Sequence, residues 1–436
     1  MTAPERSELL RAMLFHTPRN PFLEHGALEC HWDGGLLIRG GRVVLSGDYQ
    51  TVRAAYPEAA AVDLRGGFLI PGLIDTHIHY PQLRVLGSLG RPLLEWLEEC
   101  ALPEEARMVD PGYARDIAHA FVDALASHGT TTALVFGAHF APATAALFEA
   151  AAASGLRLIS GMVFSDRLLR PDLQQSPETA YRESVALIRR FHGRGRLSYA
   201  VTPRFALSTS EAMLEVCQTL LREQGGLRVQ THLNEDSAEI AEVAKRFPWA
   251  RDYLAVYERF NLGGRRAVMA HNVHPTDSEL ERLAASHTAI AHCPSSNAAL
   301  GSGLFPLRRH IEAGVLCALG TDVGAGTGFG LLKESLQAYL MQRVAPNGLL
   351  LDPARMLYLA TLAGAEALGL EQETGDFRPG KAADFVYLRP HSNSTLAQVV
   401  QHLEDPERVL AALFTLARSE SVREVRVEGS VVYRSG

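Results

Sequence analysis

The 436-residue chain predicts an α/β fold, a (β/α)8 TIM barrel carrying a small β-sandwich domain formed by both chain termini. Three observations lead there. Short apolar runs alternate with longer helical stretches over about 300 residues. Several of those runs end on a polar side chain, and the two ends of the chain alternate as antiparallel strands do.

Eight runs read as buried parallel strands: Leu73–His79, Thr131–Ala138, Leu156–Phe164, Arg196–Arg204, Leu227–His232, Ala267–His271, Thr288–Cys293 and Cys317–Asp322. Each is short and apolar, as a strand covered on both faces must be. Helices are expected over Tyr113–Ser127, Ser176–Phe191, Ser210–Glu223, Asp236–Phe247 and Thr276–Ala285. Asp110 before Pro111, Ser208 before Thr209, and Thr276 before Asp277 supply capping chemistry. A doubly wound open sheet is the competing architecture, but its usual GxGxxG turn after the first strand is missing.

At the ends, LLIRGGRVVLS (Leu36–Ser46) and VRVEGSVVY (Val425–Tyr433) read as hairpins broken at glycine, and ADFVYL (Ala383–Leu388) as a further strand. Neither end alone makes a viable sheet. Residues 1–70 and 373–436 are therefore expected to build one β-domain, with residues 71–372 inserted as the barrel.

The formal charge of −7 has no block structure, which argues against nucleic acid as a partner, since phosphate binding needs clustered Lys and Arg. Five dispersed cysteines (Cys30, Cys100, Cys217, Cys293, Cys317) form no CxxC pair and read as reduced thiols. Glu5, Arg6, Glu8 and Arg11 stand where a secretory leader would be apolar. No run approaches the roughly 20 apolar residues that span a bilayer. A cytoplasmic protein without a membrane partner is expected.

The chemistry gathers at strand ends. The first strand ends Asp75-Thr76-His77-Ile78-His79, and residues two apart share a face, so both histidines can enter the barrel mouth. The fourth ends at Pro203-Arg204-Phe205, the fifth at His232-Leu233-Asn234-Glu235, the sixth at His271 and the eighth at Gly320-Thr321-Asp322. Active sites of this fold lie on that face. Imidazoles and a carboxylate converging there suit a divalent ion that activates water. An isolated HxH, a lone strand-end His or a capping Asp each has an ordinary structural explanation; five polar strand ends in one register do not. Cys293-Pro294 lacks the second cysteine of the deaminases that bind zinc through thiolates. The fourth strand ends in Arg204 and not in a lysine that could bridge two ions, so one metal is expected. Glu235 taken alone would read as an acid opening a helix, but three residues beyond His232 it is placed to shuttle protons, and that reading is favoured.

At these residues the sequence resembles the amidohydrolase superfamily and, within it, the guanine deaminases, from about Gly66 to Leu388. PGLIDTHIH (Pro71–His79), His271 and GTD (Gly320–Asp322) carry the broad likeness. HYPQ (His79–Gln82), PLLEWL (Pro92–Leu97), HGTTTA (His128–Ala133), VTPRFALS (Val201–Ser208), THLNE (Thr231–Glu235) and AHCPSSN (Ala291–Asn297) carry the narrow one. The resemblance implies one zinc ion per subunit held by His77, His79, His232 and Asp322, with iron or manganese compatible with the same donors. It implies Glu235, Asp322 and His271 as catalytic residues, and substrate contacts from His79, Gln82, Arg204, Phe205, His232, Glu235 and Asp322. It also implies a purine as small-molecule partner, and a homodimer.

The implied reaction is hydrolytic deamination of guanine to xanthine. Asp322 takes the proton of an activated water, Glu235 protonates N3, and His271 stabilises charge. Arg204 can fork onto O6 and N7, and Gln82 can pair with the amide-like edge. PLLEWL reads as a wall or lid, or as a core-facing turn around Trp96. The alternatives are deamination of a pterin, 8-oxoguanine, a triazine or an adenosine derivative, or a scaffold that has lost catalysis. No metal ligand is lost here.

Overall fold

The computed structural model describes residues 7–435; Glu5 and Arg6 lie outside the described residues. Eight parallel strands form the barrel wall in chain order: Leu73–His79, Thr130–Phe136, Arg157–Gly161, Leu197–Pro203, Arg228–Leu233, Ala267–His271, Ala289–His292 and Cys317–Leu319. A short segment, Val163–Phe164, continues the third strand beyond Met162. The first and sixth strands have the expected limits, and the eighth is shorter by the residues Gly320–Asp322.

Those three residues close the barrel. Thr76 Oγ1 donates to Leu319 O at 2.9 Å, Asp322 N to His77 O at 2.9 Å, and His79 N to Val323 O at 2.9 Å. Gly320 is required at this seam because an added Cβ would lie 2.7 Å from His77 Cβ. Thr321 is tied to the buried Asp75, whose Oδ1 accepts from the backbone N of both His77 and Thr321. The DTH and GTD motifs are thus the two sides of one closure.

The helices between strands follow local chemistry. Asp110 accepts from the backbone N of Gly112 and Tyr113 at the start of Pro111–Ser127. Thr276 and Glu279 form a reciprocal capping box on Asp277–Ser286. One expected cap is corrected: Ser210, not Ser208, caps Glu211–Glu223, because Ala206–Ser208 is already a 3-10 turn leaving the fourth strand. Asp236 caps Ser237–Arg246, so Glu235 precedes that helix and is free to face the barrel.

The terminal strands form a seven-stranded sheet. Glu8–His16, Glu29–Arg39, Arg42–Asp48 and Ala60–Pro71 come from the N-terminal side, and Phe385–Leu388, Val422–Val427 and Ser430–Arg434 from the C-terminal side. The two sides join where Phe385–Leu388 pairs antiparallel with Phe68–Pro71. Glu8–His16 and Ala60–Pro71, which run parallel to each other, are strands the sequence pattern did not reveal. The sheet curls until Arg42 bridges Ala382, enclosing Leu10, Leu14, Ile38, Leu69, Phe377 and Phe385 on its inner face. Met13, Phe15, Phe68 and Ile70 point the other way and join the main core of the barrel.

Candidate active site

The first strand delivers His77 and His79 to the barrel mouth on one face, and Phe136 of the second strand packs against both rings, with centroids 5.0 and 4.5 Å away. His232 is the penultimate residue of the fifth strand. Its Nδ1 lies 2.6 Å from the carbonyl oxygen of Arg204, so Nδ1 carries the proton and Nε2 turns its lone pair inward. Asp322 adopts a left-handed φ of 48° and His271 one of 72°, conformations that non-glycine residues rarely take and that here aim both side chains into the mouth.

His77, His79 and His232 bring three ring nitrogens together in a dry setting. His79 Nε2 stands 3.3 Å from His77 Nε2 and 3.3 Å from His232 Nε2. Asp322 Oδ1 stands 3.3 Å from the Nε2 of both His77 and His79. Ligands about 2.0–2.1 Å from a tetrahedral zinc ion are separated by roughly 3.3–3.4 Å. These residues therefore fit a single zinc-sized cation, which resolves the otherwise unfavourable convergence of lone pairs.

Around this cluster a pocket is lined by His79, Gln82, Arg204, Phe205, His232, Glu235, His271 and Asp322, with Leu93, Trp96, Leu97, Leu300 and Ala325 as its apolar wall. Of the residues expected from sequence, only His77 is set back behind the lining, inside the donor cluster. Leu93, Trp96 and Leu97 place PLLEWL at the wall, with Trp96 buried. A much larger cavity, 1220 Å³, opens beside the terminal sheet near Arg65, Tyr387 and Arg423. It is lined by none of the strand-end donors, so chemistry and not size identifies the site.

Glu235 is buried; its Oε2 lies 3.5 Å from His271 Nε2, and its Oε1 has no hydrogen-bond partner among the described residues. Burial, reinforced by the neighbouring Asp322 carboxylate, pushes its carboxyl well above the usual range. A carboxyl group in that condition holds a proton ready for transfer. His271 Nδ1 meets Asn297 Oδ1 at 2.9 Å, which turns Nε2 toward Glu235 and, at 3.8 Å, toward Asp322 Oδ2.

Two residues escaped the reading of the sequence. Glu105 is buried and binds Gln82, Arg204 and His139 together. Its position in a run with Glu98, Glu99 and Glu104 resembles a solvated acidic face and hides it. Asn297 lies within AHCPSSN, where that motif held the only available signal. The acceptor that makes burial of Arg204 tolerable is supplied by the protein itself, through Glu105, before any substrate enters.

The fold and the four-donor cluster define a metal-dependent hydrolase, and the chain belongs to the amidohydrolase family, whose model matches residues 68–432. Within that family its similarity is to guanine deaminases. It is 57% identical over 432 residues to a probable guanine deaminase of Deinococcus radiodurans, with 98% of each chain covered. The solved guanine deaminase of Escherichia coli superposes with a TM-score of 0.93 at 38% identity, covering 99% of both chains. That of Bradyrhizobium japonicum gives 0.94 at 34% identity, covering 99% of this chain and 100% of that one.

Proposed function

We propose that this protein is a zinc-dependent guanine deaminase, hydrolysing the C2 amino group of guanine to give xanthine and ammonia. One observation carries the reading: a single pocket combines the four-donor cluster, the unpartnered oxygen of Glu235 and the Arg204–Phe205 pair. The similarity to guanine deaminases along nearly the whole chain supports it.

His77, His79, His232 and Asp322 would hold one zinc ion, which would supply a water acidic enough to ionise near neutral pH. Iron or manganese would suit the same donors. Asp322 accepts the proton of that water. Glu235 protonates ring N3, so that C2 becomes electrophilic; as the C2–N bond breaks it relays the proton remaining on the added oxygen to the departing amine, and the proton held by Asp322 then restores the Glu235 acid. His271, its Nδ1 engaged by Asn297, presents Nε2 to the charge that develops between Glu235 and Asp322.

Arg204 and Gln82 read the base. Among the described residues, Arg204 spends one guanidinium nitrogen on Glu105 and its other N–H groups make no bond to protein, leaving them for O6 and N7. Gln82 gives one N–H to Glu105 and accepts from Gly324 N, keeping its second N–H and second lone pair for the amide-like edge. Phe205 packs beside the ring. Adenine would set a donor against Arg204, which disfavours adenosine derivatives among the rivals. No helix among the described residues is long and apolar enough to cross a membrane. The resemblance to guanine deaminases is what supports a cytoplasmic homodimer as the working form.

The test is xanthine formation from guanine by the purified protein. Loss on chelation and recovery on adding zinc support the reading. Turnover untouched by exhaustive removal of metal contradicts it.

A further inference from the structure

Three loops at the barrel mouth converge on one buried carboxylate. Glu105, in the short helix Leu102–Ala106 that follows the wall segment, accepts from Gln82 Nε2 at 2.7 Å and Arg204 Nη2 at 3.0 Å through Oε1. Its Oε2 lies 3.0 Å from His139 Nε2. Gln82 follows the first strand, His139 the second and Arg204 the fourth, and all four side chains are buried.

We propose that Glu105 is a specificity-determining positioning residue: it fixes Arg204 and Gln82 against the base and cancels the charge of Arg204, so that the pocket selects a neutral purine and rejects an anionic one. The inference rests on the reading that Arg204 and Gln82 contact guanine. A guanidinium alone in a dry pocket attracts anions strongly, because no water screens it. Paired with a carboxylate, it remains a directional donor without a net charge. The distinction matters for this reaction, since replacing the amino group by a second ring carbonyl makes the product more acidic than the substrate. A base-reading pair without net charge accepts guanine and adds no attraction that would retain xanthine as its anion.

The carboxylate is suited to this. Burial opposes its ionisation, yet the charge of Arg204 and the hydrogen bond from His139 hold it well below the usual carboxylate range. It is ionised wherever the enzyme works. Because Oε1 serves both Gln82 and Arg204, moving the carboxylate disturbs both base-reading groups together.

The experiment compares Glu105→Gln with wild type at mildly alkaline pH, where xanthine is largely anionic and hypoxanthine largely neutral. KM and kcat for guanine, inhibition by xanthine and by hypoxanthine, and bound zinc are measured. The Gln variant should keep its zinc, raise KM for guanine by roughly tenfold with a smaller change in kcat, and tighten xanthine inhibition relative to hypoxanthine by roughly tenfold. Glu105→Asp, which keeps the charge, should restore the wild-type inhibitor ratio while raising KM. Wild-type KM and inhibitor ratio in a zinc-loaded Gln variant would overturn the proposal. Should that variant fail to fold, Glu105→Asp decides: unchanged KM overturns it, and a several-fold increase with zinc retained upholds it. Wild-type turnover of guanine in the same series separates the two readings, because its absence would sink the assigned substrate and not merely the role of Glu105.

Discussion

The Nε2 atoms of His79 and His232 stand 3.3 Å apart, although 153 positions separate the residues in sequence. Two imidazoles oriented in this way, with the His232 proton committed to the Arg204 carbonyl, suit a shared cation. Removing a ligand should therefore empty the site. His77→Ala, His232→Ala and Asp322→Ala should each bind well below one equivalent of metal and lose turnover. Metal analysis checks this, and full occupancy in any variant removes that residue from the ligand set.

Glu235→Gln should retain metal and bind guanine, yet lose roughly 10²–10⁴-fold in kcat, because the amide keeps the shape of the side chain but cannot carry a proton. Turnover within about tenfold of wild type would exclude the shuttle role. Steady-state kinetics beside a metal assay separates loss of chemistry from loss of the ion.

Arg204→Ala should reduce kcat/KM for guanine by several kcal/mol and also destabilise the fold by about 3–5 kcal/mol, since Glu105 is left as an uncompensated buried charge. Arg204→Lys should recover part of the stability but little of the recognition, as an ammonium cannot fork. Denaturant unfolding and kinetics on both variants test the two halves independently. Unchanged guanine kinetics would mean that Arg204 does not read the base.

Asn297→Ala should lower kcat by about tenfold or more while leaving metal bound, because His271 loses the partner that orients its ring. Equal loss in a variant already lacking His271 would show that Asn297 acts elsewhere, so the double variant is the informative control.

The barrel was legible because its strands are apolar runs ending in chemistry-bearing residues, and Leu73–His79 and Ala267–His271 have the limits the pattern predicts. The eighth strand ends at Leu319 and not at Asp322, because Gly320–Asp322 directly continues the run while its backbone turns to close the barrel. The strands Glu8–His16 and Ala60–Pro71 were missed: FLIP runs almost directly into the first barrel strand, and ELLRAMLFH lacks strict alternation because residues on both of its faces are buried. His77, His79, His232, Glu235, His271 and Asp322 declare themselves by residue type at strand ends. Glu105 does not, since an acid among acids shows its role only when the fold brings Arg204, Gln82 and His139 against it.

The central claim is that this site deaminates guanine in preference to related rings, and ammonia release tests it most directly. Metal-loaded protein is given guanine, 8-oxoguanine, adenine, cytosine and a pterin at equal concentration. The account predicts fast release from guanine, with kcat/KM for adenine lower by roughly 10⁴–10⁵, the discrimination available to a site built around hydrogen bonds. Comparable rates with adenine, or release from another ring and none from guanine, would contradict it.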